Sequence, residues 1–388
     1  MTESTGTFVE IEGFGFPPFD LVRLMRTVFD LEPQESFGVF TDLPDPRRVA
    51  GLAFLQDSGL EPQHHAWHTL HQGLVERRAE LGGPTVSFHA YRETGGPNLD
   101  LPDTVFTVEG EERPLRRVLA EHTIVLYVGR WSATAPITAL AKELGLRGAT
   151  MHGVNDRILA TGLAVDYEQV SARAERLRRA LTRADRMRME WRVRGASLAL
   201  DVHLGGQEAQ KSHGLVRERG DVANLPAGEV YYVPVGADGL MPRQFEDAAE
   251  TIAVFEVQDG LVSGLRELVR GDRKTAEDFL RIVESDPNAG RITELGLGTQ
   301  DLPFAGSDIQ DEKILGTAHV ATGRSDHLGG DVDSAAFRDP RNASHNDILY
   351  TPRKTPEVEL TRVTMIRNGE ETPIVEGYRP TAFLRRHI

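Results

Sequence analysis

Six residues in the second half of this chain carry side chains suited to divalent cations: Glu229, Glu294, Glu312, His319, His345 and Asp347. They sit in strand-like or glycine-flanked stretches, "NLPAGEVYYVP", "RITELGLGT", "DEKILGTAHVATG" and "NASHNDILY". In the last stretch His345 and Asp347 are two apart, and in an extended strand such neighbours share a face. The imidazole and the carboxylate then converge, while Asn346 and Ile348 face the other way. Alone, this pair suits a metal corner, a catalytic pair or a surface hydrogen bond, and each glutamate suits an exposed strand edge. Together the four carboxylates balance two dications, and the two imidazoles add neutral ligands. Such a centre makes hydroxide near neutrality and polarises a carbonyl, which suits amide hydrolysis. A subset, His319, His345 and Asp347, is the two-His-one-carboxylate set of non-haem Fe(II) sites.

A second cluster competes for attention. "HHAWHTLH" holds His64, His65, His68 and His71, and a helix there places His64, His68 and His71 on one face, where they could bind zinc. It lacks an acidic partner and the His-Glu-x-x-His arrangement. A surface or substrate-side role is the commoner outcome for such a run.

The elements that must position these residues fall into two groups. "SFGVFTD", "TVSFHAY" and "TIVLYVG" are β-rich, and "APITALAKELGLRG" has helical spacing with a glycine stop. "DYEQVSARAERLRRALTRA" is the clearest helix, with Val170, Ala174, Leu177 and Leu181 on one stripe. This alternation predicts an α/β layer domain over residues 1–185. From residue 186 onward strands and glycine turns dominate, with bends expected at Arg194-Gly195, Asp259-Gly260 and Asn368-Gly369. A helix over 275–285, with Thr275 and Asp278 as its cap pair, interrupts them. The fold class is therefore α/β, with a mixed α+β metal-binding catalytic domain over residues 186–388. The Gly/Asp-rich stretch 323–339 reads as a long functional loop.

Composition narrows the function further. The 388 residues favour two domains over one core. With 44 basic against 59 acidic residues the net charge is −15, which disfavours nucleic-acid partners. No apolar run approaches the roughly 18 residues of a membrane span. The acidic start "MTESTGTFVEIEGF" does not read as a signal peptide, so a cytoplasmic protein is expected. The absence of cysteine removes disulfides, thiolate metal sites and cysteine nucleophiles.

The series "NLPAGEV", "ELGLGT", "DEKILGTAHVATG" and "SHND", in this order over about residues 215 to 350, resembles the metal-ligand series of the aminopeptidase T and S family. The helix stretch 166–181 is also similar, whereas residues 1 to about 130 are alike only in architecture. The resemblance implies two divalent ions (Zn, Co or Mn) on Glu229, Glu294, Glu312, His319, His345 and Asp347. It implies Glu294 or Asp347 as the bridging carboxylate, and Glu294 as a general base. It further implies a homodimer that removes N-terminal residues from short peptides.

Two departures qualify this. Glu312 lies seven residues before His319 where many members have five, with Ile at position 314. Where several members carry a tyrosine, seven residues after that histidine, this chain has Asp326 followed by His327. The tyrosine's role passes to His327, to Arg324, or to neither.

Three function classes therefore stand. A dinuclear aminopeptidase needs all six ligands and an anchor for the substrate's α-ammonium, such as Asp326 or Asp331. A mononuclear Fe(II) ring-cleaving dioxygenase needs only His319, His345 and Asp347, and dihydroxypyridine ring-cleaving dioxygenases resemble distant relatives of this family. Hydrolysis of a small amide, or binding without turnover, is the third.

Overall fold

The computed structural model describes residues 15–388. The acidic start read as lacking a signal peptide, residues 1–14, lies outside the described residues. The first half is built on a seven-stranded sheet. Its spatial order is Val222–Asn224, Arg147–His152, Ile124–Gly129, Ser36–Leu43, Thr85–Arg92, Thr104–Thr107 and Glu112–Pro114. The first five strands are mutually parallel, Thr104–Thr107 pairs antiparallel to Thr85–Arg92, and Glu112–Pro114 pairs antiparallel to Thr104–Thr107. A parallel sheet is covered on both faces, so its strands are apolar at nearly every position. Ile124, Leu126 and Val128 pack on one side, against helix Leu21–Phe29, while Val125 and Tyr127 pack on the other, against Leu115–Leu119 and Thr134–Leu144. The edge strand Val222–Asn224 comes from beyond residue 186, so the chain returns to this sheet before forming the metal-ligand strands.

Helix Tyr167–Leu181 links the halves. Asp166 caps it by accepting from the Glu168 backbone N–H, and the stripe Val170, Ala174, Leu177 and Leu181 is buried.

The second half holds an eight-stranded and a five-stranded antiparallel sheet. Arg194-Gly195, Asp259-Gly260 and Asn368-Gly369 all have positive φ at both positions, the geometry that a tight hairpin between twisted strands requires. Helix Arg273–Ser285 begins two residues earlier than its sequence pattern predicts. Its cap is Asp272, accepting from the Lys274 N–H; Thr275 instead donates to Asp247, and Asp278 pairs with Lys274. Asp272→Ala is therefore expected to cost about 1 kcal/mol in urea unfolding, and Asp278→Ala only a few tenths.

The five-stranded sheet has the order His345–Tyr350, Ala318–Gly323, Ile292–Gly298, Glu229–Tyr232, Gln210–Ser212. One face is core: Val230, Tyr232, Leu295, Leu297, Val320, Ile348 and Tyr350 pack with Met187, Met189 and Trp191 of the eight-stranded sheet. The other face carries the candidate ligands. No described helix is long and apolar enough to cross a membrane.

Candidate metal centre

Strand alternation places the donors. Glu229 opens one strand, Glu294 lies on the next, His319 on the third, and His345 and Asp347 on the fourth. Ala318 and Val320 on either side of His319, and Val230, Leu295 and Ile348 beside Glu229, Glu294 and Asp347, point into the core. Glu294 reaches this face only through a bulge. Ile292 and Leu295 are both core residues three apart, because the register slips between Ile292 and Glu294. An extra residue in one strand reverses which face the following side chains take.

The "ELGLG" run explains itself here. Gly296 is the register partner of His319, and a Cβ on it would lie 2.2 Å from the His319 Cε1. A Cβ on Gly298 would lie 2.1 Å from the Ile314 carbonyl oxygen, so the bare glycine lets residues 313–314 lie against the strand. That segment is pinned by Gln300, which donates from its backbone N–H to the Lys313 carbonyl at 2.9 Å and accepts from the Leu315 N–H at 2.8 Å. Glu312 and Lys313 are delivered to the site in this way. Gly296→Ala is expected to push the His319 ring aside and weaken metal affinity by about 10–100-fold with the fold retained, measured by competition with a chromophoric chelator.

All six predicted ligands come together. Donor atoms within 4.8 Å of one another form three overlapping groups: Glu229, Glu294 and His319; Glu294, His345 and Asp347; and Glu312, His319 and Asp347. The His319 Nε2 lies 3.6 Å from Glu294 and 3.8 Å from both Glu229 and Asp347. The His345 Nε2 lies 3.0 Å from Glu294 and 3.2 Å from Asp347. The His345 Nδ1 donates to the Arg324 carbonyl oxygen at 2.6 Å, fixing the tautomer that turns Nε2 inward. The Glu229 Oε2 is buried with no hydrogen-bond partner. Imidazoles and carboxylates aimed at shared points, with an orphaned carboxylate oxygen among them, fit a divalent cation.

Electrostatics reflect the crowding. Burial would lower His319, but the Glu294, Glu312 and Asp347 carboxylates push it up to about 10. Burial would raise Glu294, yet the two histidines hold it down to about 2. His345 is raised well above its ordinary value, against burial, by Asp347 and Glu294. Burial raises Glu312, opposed by Lys313.

Lys313 was not singled out from the sequence. It is 1% exposed, and its ammonium donates to Glu229 at 2.7 Å and Glu312 at 2.5 Å. The signal was a lysine directly beside Glu312 and ahead of the apolar Ile314-Leu315-Gly316, where a buried carboxylate demands a cation. His152 was missed too. With Ser132, Thr134 and Asn224 it lines a 340 Å³ chamber over the ligands, at the carboxyl ends of the parallel strands. Open parallel sheets bind ligands at those ends.

Other expectations change. His327 lines the chamber, its ring edge-on to His345 at 4.9 Å, and burial lowers its pKa so that it is neutral. Arg324 is held by Asp100 at 2.7 Å and by Asp326 at 2.7 and 3.0 Å, so it serves as scaffold. Asp326 is thereby committed, and Asp331 is exposed and pairs with Arg291; neither lines the chamber as an ammonium anchor. The His64, His65, His68 and His71 run belongs to no metal-ligating group among the described residues. A π-helical turn over Ala66–Gln72 spreads it, with His71 stacked on Trp67 and His68 bonded to Gln72 at 2.7 Å.

No family model and no curated protein matches this chain. Solved structures with a similar fold include 2,5-dihydroxypyridine dioxygenase from Pseudomonas putida KT2440, at 15% identity and a TM-score of 0.58, covering 93% of this chain and 96% of that one. Wild-type AmpT from Thermus thermophilus is similar at 15% identity and a TM-score of 0.54, covering 93% and 98%. At this identity the likeness establishes a shared α/β fold. Both named proteins are enzymes, and the donor set here fits a divalent metal.

Proposed function

We propose that this protein is a single-metal enzyme that uses molecular oxygen, with one ferrous ion held on His319, His345 and Asp347, whose two imidazoles belong to separate donor groups joined at Asp347. The observation that carries this reading is Lys313. Its ammonium lies between Glu229 and Glu312, where a second cation would otherwise balance those carboxylates. Retention of the two glutamates then needs no second metal. One dication and one lysine offset three of the four carboxylate charges, and a proton on the buried Glu312 offsets the fourth.

When bound, ferrous iron on two histidines and a carboxylate supplies open positions for oxygen and substrate. The chain's own residues do the rest. The Arg324 carbonyl orients His345. Glu294, between both imidazoles, is a further donor or a proton acceptor at the same point. Neutral His327 faces the chamber and can take a proton from a substrate hydroxyl. The chamber adds Thr134 and Asn224 as polar contacts. A hydroxylated aromatic ring is the substrate class these groups suit, and the dioxygenase of similar fold acts on such a ring.

Glu294 favours a second reading, metal-activated hydrolysis of a short peptide or small amide, because a buried carboxylate beside the metal position can serve as a base. Metal analysis of the purified protein separates the two. One iron per chain with oxygen uptake on a dihydroxylated aromatic supports the first. Two zinc, cobalt or manganese ions with oxygen-independent cleavage of a dipeptide return the dinuclear hydrolase.

A further inference from the structure

Beside the metal chamber lies a larger cavity of about 930 Å³, and the two share Ser132, His152, His345 and Asp347 as walls. In a chain of net charge −15, this cavity is lined by five arginines and a lysine. Much of the facing acidity is already committed. Lys354 pairs with Glu246 and Asp308, and Asp311 accepts the Ala305 and Gly306 backbone N–H groups at 2.7 and 3.1 Å. Arg341 pairs with Asp339.

Arg243 is different. It is half-buried, its Nη1 is shut off from solvent with no hydrogen-bond partner, and no described carboxylate pairs with it. Its guanidinium lies 4.7 Å from the Phe245 ring and 4.3 Å from the Phe279 ring, contacts that satisfy none of its N–H donors. Burial pulls its pKa down to about 10, so it is cationic at neutral pH. A guanidinium with a shut-off, unpartnered N–H and no counterion is costly unless a ligand supplies an acceptor. Arg130 faces the same cavity from the other half. Asp42 holds its turn by accepting the Arg130 and Trp131 N–H groups at 2.8 and 2.9 Å, and a Cβ on Gly129 would lie 2.2 Å from that carboxylate.

We infer that this cavity binds the carboxylate of an aromatic acid, received by Arg243 and Arg130, with Trp131, Phe245 and Phe304 walling its ring. A guanidinium matches a carboxylate with parallel N–H donors, which a neutral amide cannot reproduce. The inference rests on the proposed function in one respect, that the substrate's other end reaches the metal through the shared wall. The substrate would then be a hydroxylated aromatic carboxylate.

Calorimetric titration with benzoate and with benzamide tests this, on the metal-loaded protein and after chelation. Benzoate is expected to bind at least 10-fold more tightly in both forms. Arg243→Gln should erase that preference while metal content stays unchanged. Equal affinity for the two probes overturns the inference, as does a preference seen only with metal or one that survives in Arg243→Gln. Should Arg243→Gln fail to fold, the exposed-site variant Arg130→Ala is the readout: a several-fold loss of benzoate affinity is expected, and none overturns the assignment. Metal count and oxygen uptake do not enter this test, so its failure is distinguishable from failure of the proposed reaction.

Discussion

Lys313→Met is expected to raise metal content from one ion per chain to two, and to make stability depend on that second ion. In the wild type the lysine is buried between two glutamates that are each 5% exposed. Removing one partner of a buried ionic cluster leaves uncompensated charge, which costs about 3–5 kcal/mol. Protonation of Glu312, which burial already favours, recovers part of that. With manganese or zinc in excess, Glu229 and Glu312 regain a counterion, and the unfolding temperature should climb with metal concentration as mass action requires. Plasma mass spectrometry gives the stoichiometry and calorimetry the stability. Two metals in the wild type, or one in the variant under saturating metal, would defeat the single-metal reading.

His319→Ala should weaken metal loading by more than about 100-fold and abolish turnover. Its Nε2 lies within 3.8 Å of three carboxylates, so every grouping of donors that includes Glu229 or Glu312 depends on it. Residues that only orient a ligand change metal affinity by about 10–100-fold, and loss of a ligand should exceed that. In chelated protein the same imidazole is a counterion. Its folded pKa is raised to about 10 from an ordinary 6.5, against burial, by the surrounding carboxylates. Its stabilisation is thus full below pH 6.5 and lost as pH rises toward 10. Chelated wild type should lose stability across that window, and chelated His319→Ala should show a flatter profile in urea titrations at several pH values. An unchanged slope would mean that His319 carries no such charge.

The pairing of His345 with Asp347 and the hairpin turns were legible because the relevant rules are local. Period-two alternation places His345 and Asp347 on one face, and the structure has them there, with Ile348 and Tyr350 in the core behind. Arg194-Gly195, Asp259-Gly260 and Asn368-Gly369 specify hairpins because few residue pairs adopt positive φ twice in succession. Glu294 shows where such rules end. Simple alternation would put it on the same face as Ile292, and a bulge sends it to the opposite one. The helix at 273 shows it again, since Asp272 takes the cap while Asp247 engages Thr275 from another segment.

What this sequence determined by itself was the inventory: which donors exist, which strands and turns carry them, and which pairs share a face. Only the tertiary structure decided what that inventory means. Strand order brings Glu229, Glu294, His319 and Asp347 together from more than a hundred residues of chain. The bare Gly298 lets residue 313 lie against the sheet, and so places an ammonium between two expected metal ligands. The basic cavity joins Arg130 at the end of one sheet to Arg243 on a strand of another. Backbone periodicity acts over a few residues, whereas charge balance in a buried site depends on which segments meet.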